Sequence, residues 1–106
     1  MTKATQEILT KLKSGLVKIY GERLKGLYLY GSFARGEEKS GSDLDVAMIL
    51  DEFERPWFEI ERTSQIVSDL SSECEITVSL IPLRLSDWSE KEKMFVQNIQ
   101  AECIAF

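Results

Sequence analysis

The most informative part of the chain is a pair of segments, Gly31-Ser32-Phe33-Ala34-Arg35-Gly36 and Ser42-Asp43-Leu44-Asp45-Val46. Gly31 follows an apolar, aromatic-rich run and has no Cβ, so the backbone there can approach a ligand closely. Ser32 begins a predicted helical turn, whose first N–H groups lack partners within the turn and favour an anion such as phosphate. A helix cap is the simpler alternative for Ser32, and it is compatible with phosphate binding.

Two carboxylates, Asp43 and Asp45, stand two positions apart where the next apolar run begins. Residues i and i+2 of a strand point to the same face, so the two side chains are expected to converge. Carboxylate oxygens suit Mg²⁺, which also takes phosphate oxygens. The alternative is an ordinary solvated junction between loop and strand, where aspartate is common.

The flanking segments alternate between helical and extended patterns. The predicted elements are a helix over about 5–20, a strand over 24–30, a helical turn over 32–35, a strand over 44–50, a helix over about 56–72, a strand over 75–80 and a last helix near 95–103. We therefore expect an α/β (α+β) fold in a single domain over residues 1–106, with a small mixed sheet of three or more strands flanked by helices.

Several boundaries of these elements have their own signals. Gly21 is expected to end the first helix, and Pro82 to end the third strand. Ser89 with Glu92 resembles a capping box for the last helix. Residues 104–106 fit either a final half-turn or a brief edge strand.

Composition argues against several functional classes. The 106 residues carry a formal net charge of −5, which disfavours phosphate-driven binding to duplex nucleic acid. The absence of histidine excludes a Ser-His-Asp triad and His-ligated zinc, and Cys74 and Cys103 fit no zinc pattern. The N-terminus is polar, and no apolar run approaches the roughly 18 residues of a membrane span. We expect a cytoplasmic protein without a membrane segment.

The spacing G-S-x10-D-x-D resembles the signature of the DNA polymerase β-like nucleotidyltransferase superfamily. The similarity is greatest to its minimal nucleotidyltransferases, which act as antitoxins beside HEPN-domain toxins. It extends from about Leu24 to Phe106 and includes a tail with an apolar helix end, a glutamate and a short apolar finish. Neither a GS pair nor a DxD pair is specific alone, but the two at this spacing are.

The resemblance implies a role for each matching residue. Gly31 and Ser32 would hold the triphosphate of a bound nucleotide, and Asp43 and Asp45 would ligate magnesium. Arg35 lies where it would reach a phosphate, with an exposed surface charge as the alternative.

The family usually carries a third carboxylate, most often aspartate, on the next strand. The matching position is assigned to Glu75, as a third metal ligand that helps to deprotonate the acceptor. Glutamate is one methylene longer than aspartate, so transfer depends on whether this side chain reaches the metal. A carboxylate facing water at a strand end is the alternative.

The implied function is magnesium-dependent transfer of AMP from ATP to an acceptor hydroxyl, with a partner HEPN toxin as the expected acceptor. Two alternatives stay open. One is a catalytically weak module that neutralises its partner by docking, and the other is a nucleotide-binding subunit of a split transferase. Either a homo-oligomer or a hetero-oligomer fits these readings. Most of the aromatic side chains at positions 57, 58, 88 and 95 are expected in the core, with a partner surface as the alternative.

Overall fold

A four-stranded mixed sheet lies at the centre of the structure, a computed structural model that describes residues 1–90 and 93–106. The elements in chain order are α1 (Lys3–Tyr20), a 3-10 helix (Gly21–Arg23), β1 (Leu24–Tyr30), α2 (Ser32–Arg35), β2 (Leu44–Leu50), α3 (Pro56–Cys74), β3 (Val78–Arg84), α4 (Leu85–Ser89), α5 (Met94–Glu102) and β4 (Ile104–Ala105). The strand order is β3-β2-β1-β4, with β2 and β3 parallel and the other pairs antiparallel. The predicted mixed sheet flanked by helices is therefore confirmed.

The first helix begins earlier than its sequence pattern indicated. The Thr2 side chain accepts a hydrogen bond from the Thr5 N–H at 3.1 Å and caps the helix N-terminus. Gly21 ends the helix, as predicted. Tyr20 faces the core, whereas Ile19, which the periodicity placed on the apolar face, is 39% exposed. At the C-terminal end of α1, the residue that packs against the core is therefore Tyr20 instead of Ile19.

The larger core lies between the sheet and the helices α1 and α3. The even-numbered residues of β2 point into it, and the strand is apolar on both faces because both are covered. Buried members of this core include Leu9, Leu12, Leu16, Leu29, Leu44, Val46, Met48, Leu50 and Leu70. A buried hydrogen bond of 2.9 Å from the Tyr20 hydroxyl to Glu59 Oε1 joins the two helices.

The opposite face of the sheet carries α4 and α5 over a smaller cluster. Ala47 and Ile49 of β2 pack there with Ile99 of α5. The Trp88 ring stacks on Tyr28 with the ring centroids 4.6 Å apart. This face leads directly to the predicted site, because Asp45 precedes Ala47 by two positions on the same strand.

The third strand differs from its prediction at both ends. It spans Val78–Arg84 instead of 75–80, and Pro82 lies within it. Proline is tolerated there because β3 is an edge strand, which needs backbone N–H groups on one side only. The tail residues Ile104–Ala105 form the edge strand β4, which settles that alternative, whereas Glu92 of the predicted capping box lies outside the described residues.

Three aromatic side chains predicted to pack in the core are largely exposed instead. Trp57 is 57% exposed, Phe58 49% and Phe95 55%. Trp57 and Phe58 lie at the start of α3, on the side that turns away from the sheet, and the Arg55 guanidinium lies over both rings. None of the described helices is long and apolar enough to cross a membrane.

Candidate active site

The Gly31 backbone lies against the carboxylate of Asp45. Tyr30 pairs with Asp45 across the β1–β2 ladder, and Gly31 then turns the chain into α2 with φ 76° and ψ −158°. A side chain at position 31 would need this unfavourable conformation, and its Cβ would collide with Asp45 Oδ2. Glycine is therefore required here both for the turn and for the close approach of backbone and carboxylate.

Asp43 and Asp45 lie at the N-terminal end of β2, where the sequence predicted them. Asp43 is exposed and Asp45 is half-buried. Burial raises the pKa of the Asp45 carboxyl, the charge of Asp43 raises it further, and Arg35 opposes both effects. Two carboxylates that repel one another at the edge of a buried strand form an oxygen donor set that a divalent cation would stabilise.

The loop before Asp43 closes on itself. The Lys39 N–H donates to Ser42 Oγ at 2.8 Å, and the Ser42 N–H donates to the Lys39 carbonyl at 3.0 Å. The Leu44 N–H then donates to the Thr77 carbonyl at 2.8 Å, which begins the ladder with β3. Asp43 is thus held between a closed turn and the first rung of the sheet.

Ser32 occupies the first position of α2, immediately after Gly31. The helix is a single turn that ends at Gly36 in the left-handed conformation, and the Ala34 and Arg35 N–H groups return to the Gly31 carbonyl. Ser32 is half-buried. Its predicted role toward a phosphate stays a prediction.

Glu102, at the end of α5, is a member of the site whose contacts the sequence did not predict. Its Oε1 accepts a hydrogen bond from the Gly31 N–H at 3.1 Å, and both of its oxygens accept from Arg35 Nη1 at 3.0 Å. The hydrogen bond from Arg35, ahead of that from Gly31, lowers the pKa of the Glu102 carboxyl. The only signal in the sequence was the glutamate of the tail.

Arg35 is held by carboxylates on two sides. Its Nε donates to Glu37 Oε2 at 3.0 Å while Nη1 donates to Glu102. A phosphate that binds Arg35 would compete with at least one of these partners.

The structure does not bring Glu75 to the aspartate pair. Glu75 is exposed and ends α3 in the left-handed conformation with φ 53°, three residues before β3 begins. It lines a cleft with the 39–42 loop and the start of α1, on the side of the larger core, and neither Asp43 nor Asp45 lines that cleft. Across the described ranges 1–90 and 93–106, no three carboxylate or thiol groups come together as a metal site.

A family model described as "Polymerase beta, Nucleotidyltransferase" matches residues 10–104. This span holds all the predicted site residues, so the superfamily expected from the sequence spacing is confirmed. No curated protein sequence matches the chain.

Solved structures of similar fold include two from toxin–antitoxin systems. A chain of a toxin–antitoxin structure with AMP-PNP has a TM-score of 0.65 at 16% identity, and the match covers 98% of this chain and 72% of that one. A chain of a complex between tri-AMPylated Shewanella oneidensis HEPN toxin and MNT antitoxin has a TM-score of 0.52 at 16% identity, with coverage of 92% and 70%. A protein from Sulfolobus solfataricus assigned as a nucleotidyltransferase has a TM-score of 0.61 at 18% identity, with coverage of 98% and 77%. At these identities the likeness establishes the fold.

Proposed function

Because the chain belongs to the polymerase β nucleotidyltransferase family, we propose that it is a magnesium-dependent enzyme that transfers AMP from ATP to an acceptor hydroxyl. The observation that carries this proposal is the close approach of the Gly31 turn to the Asp45 carboxylate. It supports the proposal because backbone of the kind that binds phosphate lies beside two carboxylates of the kind that bind a divalent cation.

Each side of the site has a separate task in this proposal. Gly31 and Ser32 would cradle the triphosphate, while Asp43 and Asp45 would hold magnesium. Bound magnesium would lower the pKa of the acceptor hydroxyl and neutralise charge on the phosphates. The acceptor oxygen bonds to the α-phosphorus as the bond to the β-phosphate oxygen breaks; pyrophosphate leaves, and the hydroxyl proton passes to solvent.

Arg35 contributes to phosphate binding in this proposal through exchange of partners. Its guanidinium is exposed and already close to the Gly31 turn, because Glu102 holds both groups. Two oxygens of a phosphate can accept hydrogen bonds from a guanidinium as the two oxygens of a carboxylate do, so Arg35 can pass from Glu102 to the nucleotide. Arg35 therefore links nucleotide binding to the end of α5.

We propose that the acceptor is a partner protein of the HEPN toxin class. One protein of similar fold is an MNT antitoxin in complex with an AMPylated HEPN toxin, and another comes from a toxin–antitoxin structure with AMP-PNP. The exposed aromatic side chains Trp57 and Phe58 supply apolar surface of the kind that protein interfaces bury. Transfer of label from ATP to this partner tests the assignment.

A second candidate function is neutralisation of the partner by docking, without transfer. Two observations favour it: Glu102 already occupies the Gly31 N–H and Arg35, and Glu75 stands apart from the aspartate pair. Both would weaken a nucleotide site without affecting a docking surface on α3.

The deciding experiment is transfer of label from ATP labelled at the α-phosphate, with Mg²⁺ and the product of the adjacent gene as acceptor. We expect labelled acceptor with the unaltered chain and a loss of at least about 100-fold with Asp43→Asn or Asp45→Asn, the scale on which metal-assisted catalysis acts. Asp69→Asn is the matched control, because Asp69 is an exposed carboxylate on α3 that contacts Gln65.

Two outcomes would separate the candidates. Labelling that depends on Asp43 and Asp45 but not on Asp69 supports the transferase. Neutralisation of the partner that survives Asp43→Asn and Asp45→Asn, with no label on any acceptor, would reject the transferase in favour of docking.

A further inference from the structure

Three side chains lie in one row across the sheet at the edge of the site. Asp45 of β2 is the register partner of Tyr30 on β1 and of Ser79 on β3. Register partners in adjacent strands project from the same face. Burial and the charge of Asp45 together raise the pKa of Tyr30, which agrees with a side chain close to this carboxylate.

The face on which this row lies is established by the next two rungs. Ala47 pairs with Ile81 and Ile49 with Leu83, and all four residues pack in the smaller cluster beneath α5. Ser79 precedes Ile81 by two positions, as Asp45 precedes Ala47, so both project to that same face. The β3 residue paired with Asp45 is therefore a half-buried serine on the same face.

Glu75 cannot take that place within this ladder. It lies four residues before Ser79 and belongs to the end of α3, where the left-handed backbone turns the chain before β3 starts. The parallel register of β2 and β3 is specified over seven pairs, from Leu44 with Val78 to Leu50 with Arg84. A slip of the four residues needed to bring Glu75 beside Asp45 would break every one of these pairs.

We propose that Ser79, not Glu75, is the third residue of the metal site. Asp43 and Asp45 are then the two carboxylates that hold the cation, and Ser79 adds a neutral hydroxyl beside Asp45. A site with two charges binds a divalent cation more weakly than a site with three. The cation is therefore bound tightly only together with a nucleotide, whose phosphates supply the missing negative oxygens.

This inference rests on the metal site of the proposed function, but not on transfer itself. It is tested by the binding of Mn²⁺, followed by the electron paramagnetic resonance of the free ion, with and without a non-hydrolysable ATP analogue. The protein is the full chain, and the variants are Ser79→Asp, Glu75→Gln and Asp45→Asn. Ser68→Asp is the matched control, because it adds the same charge at an exposed position of α3.

We expect Ser79→Asp to tighten the binding of Mn²⁺ without nucleotide by at least about tenfold, since affinity for such cations is set by the number of ligand charges. Ser68→Asp and Glu75→Gln should leave it unchanged, and Asp45→Asn should abolish it. In the unaltered chain, the ATP analogue should increase the uptake of Mn²⁺ beyond that of analogue and protein measured separately.

Two results would overturn the inference. One is a loss of Mn²⁺ binding in Glu75→Gln equal to that in Asp45→Asn. The other is unchanged binding in a Ser79→Asp protein whose circular dichroism is that of the unaltered chain. Should Ser79→Asp fail to fold, Glu75→Gln decides alone, because its site is exposed.

The failure of this inference and that of the proposed function are distinguishable. If Ser79→Asp tightens Mn²⁺ binding but the unaltered chain transfers no label, the metal assignment stands and the transferase is rejected. If the unaltered chain transfers label and Glu75→Gln abolishes both this transfer and Mn²⁺ binding, the transferase stands and the assignment of Ser79 is rejected.

Discussion

At the scale of single residues, the site places charges where they cost stability. Asp45 is half-buried at the edge of an apolar strand and faces the like charge of Asp43. Groups with raised pKa values of this kind cluster at functional sites, because the arrangement that perturbs them is also one that binds a cation. A cation bound as proposed would relieve this repulsion.

The change Asp45→Asn should stabilise the ligand-free protein at pH 7. The folded pKa of Asp45 lies above its unfolded value, so the folded state binds the proton more tightly and loses stability as pH rises through the folded pKa. Asparagine removes this loss. The gain should be under about 1 kcal/mol, because solvent screens a partly exposed carboxylate, and it should vanish below about pH 4.

The control for this prediction is Asp51→Asn at the other end of β2. The Glu52 N–H and then Arg23 lower the pKa of Asp51, so its contribution has the opposite sign and is lost as pH falls. Urea unfolding from pH 3 to pH 8 measures both variants. A loss of stability in Asp45→Asn at pH 7 would contradict the account given for this carboxylate.

At the scale of elements, the carboxylates of Glu59 and Glu102 make hydrogen bonds between parts of the chain that are distant in sequence. The hydrogen bond between Tyr20 and Glu59 joins α1 to α3, and Glu102 ties the end of α5 to the Gly31 turn. Burial, the hydrogen bond to Glu59 and the charge of Glu59 all raise the pKa of the Tyr20 hydroxyl, which stays protonated and donating. Glu102 gives the last helix a direct role in the geometry of the site.

The variant Tyr20→Phe should lower the free energy of unfolding by about 1–3 kcal/mol, because the buried Glu59 carboxylate loses its hydroxyl donor and keeps only the ion pair with Arg62 at 3.7 Å. Lys11→Gln is the matched control, since Lys11 and Glu73 join the same two helices by an exposed ion pair of 2.9 Å. That pair should contribute little to stability, because solvent screens both charges. Equal losses in urea unfolding for the two variants would show that burial does not set the strength of the Tyr20 contact.

At the scale of the whole molecule, the sheet separates a thick core from a thin one. Among the residues that the structure describes, the cluster under α1 and α3 holds most of the buried side chains, while the cluster under α4 and α5 is smaller and lies on the face of Asp45 and Ser79. Trp57 and Phe58 contribute to neither cluster, and they face outward from the start of α3. Aromatic residues only a few positions apart therefore differ in burial: Phe53 is buried, whereas Trp57 and Phe58 are exposed.

The double variant Trp57→Ala/Phe58→Ala should change the free energy of unfolding by no more than about 0.5 kcal/mol, as expected for exposed positions. Phe53→Ala, only a few residues away, should cost about 3–5 kcal/mol, because Phe53 is 8% exposed and packs under the Arg84 guanidinium. Urea unfolding measures both. A loss above about 2 kcal/mol for the double variant would show that the two rings pack in the core, as the sequence predicted.

The amino-acid sequence by itself determined the features that depend on local spacing. The glycine turn, the convergence of Asp43 and Asp45, and the runs of β1 and β2 follow from backbone geometry over a few residues. From these features the family and a candidate site could be predicted. The Pro82 prediction failed because the cost of a proline in a strand depends on whether that strand lies at the edge of its sheet.

Only the tertiary structure decided which distant residues lie beside Gly31 and Asp45. Glu102 meets Gly31 across 71 positions of the chain, and the residue beside Asp45 is set by the register between β2 and β3. Sequence distance could not distinguish Glu75 from Ser79, because the end of α3 and its left-handed turn determine where β3 begins. The register between β2 and β3 depends on which side chains are buried across the whole sheet, so the sequence near Glu75 and Ser79 does not determine it.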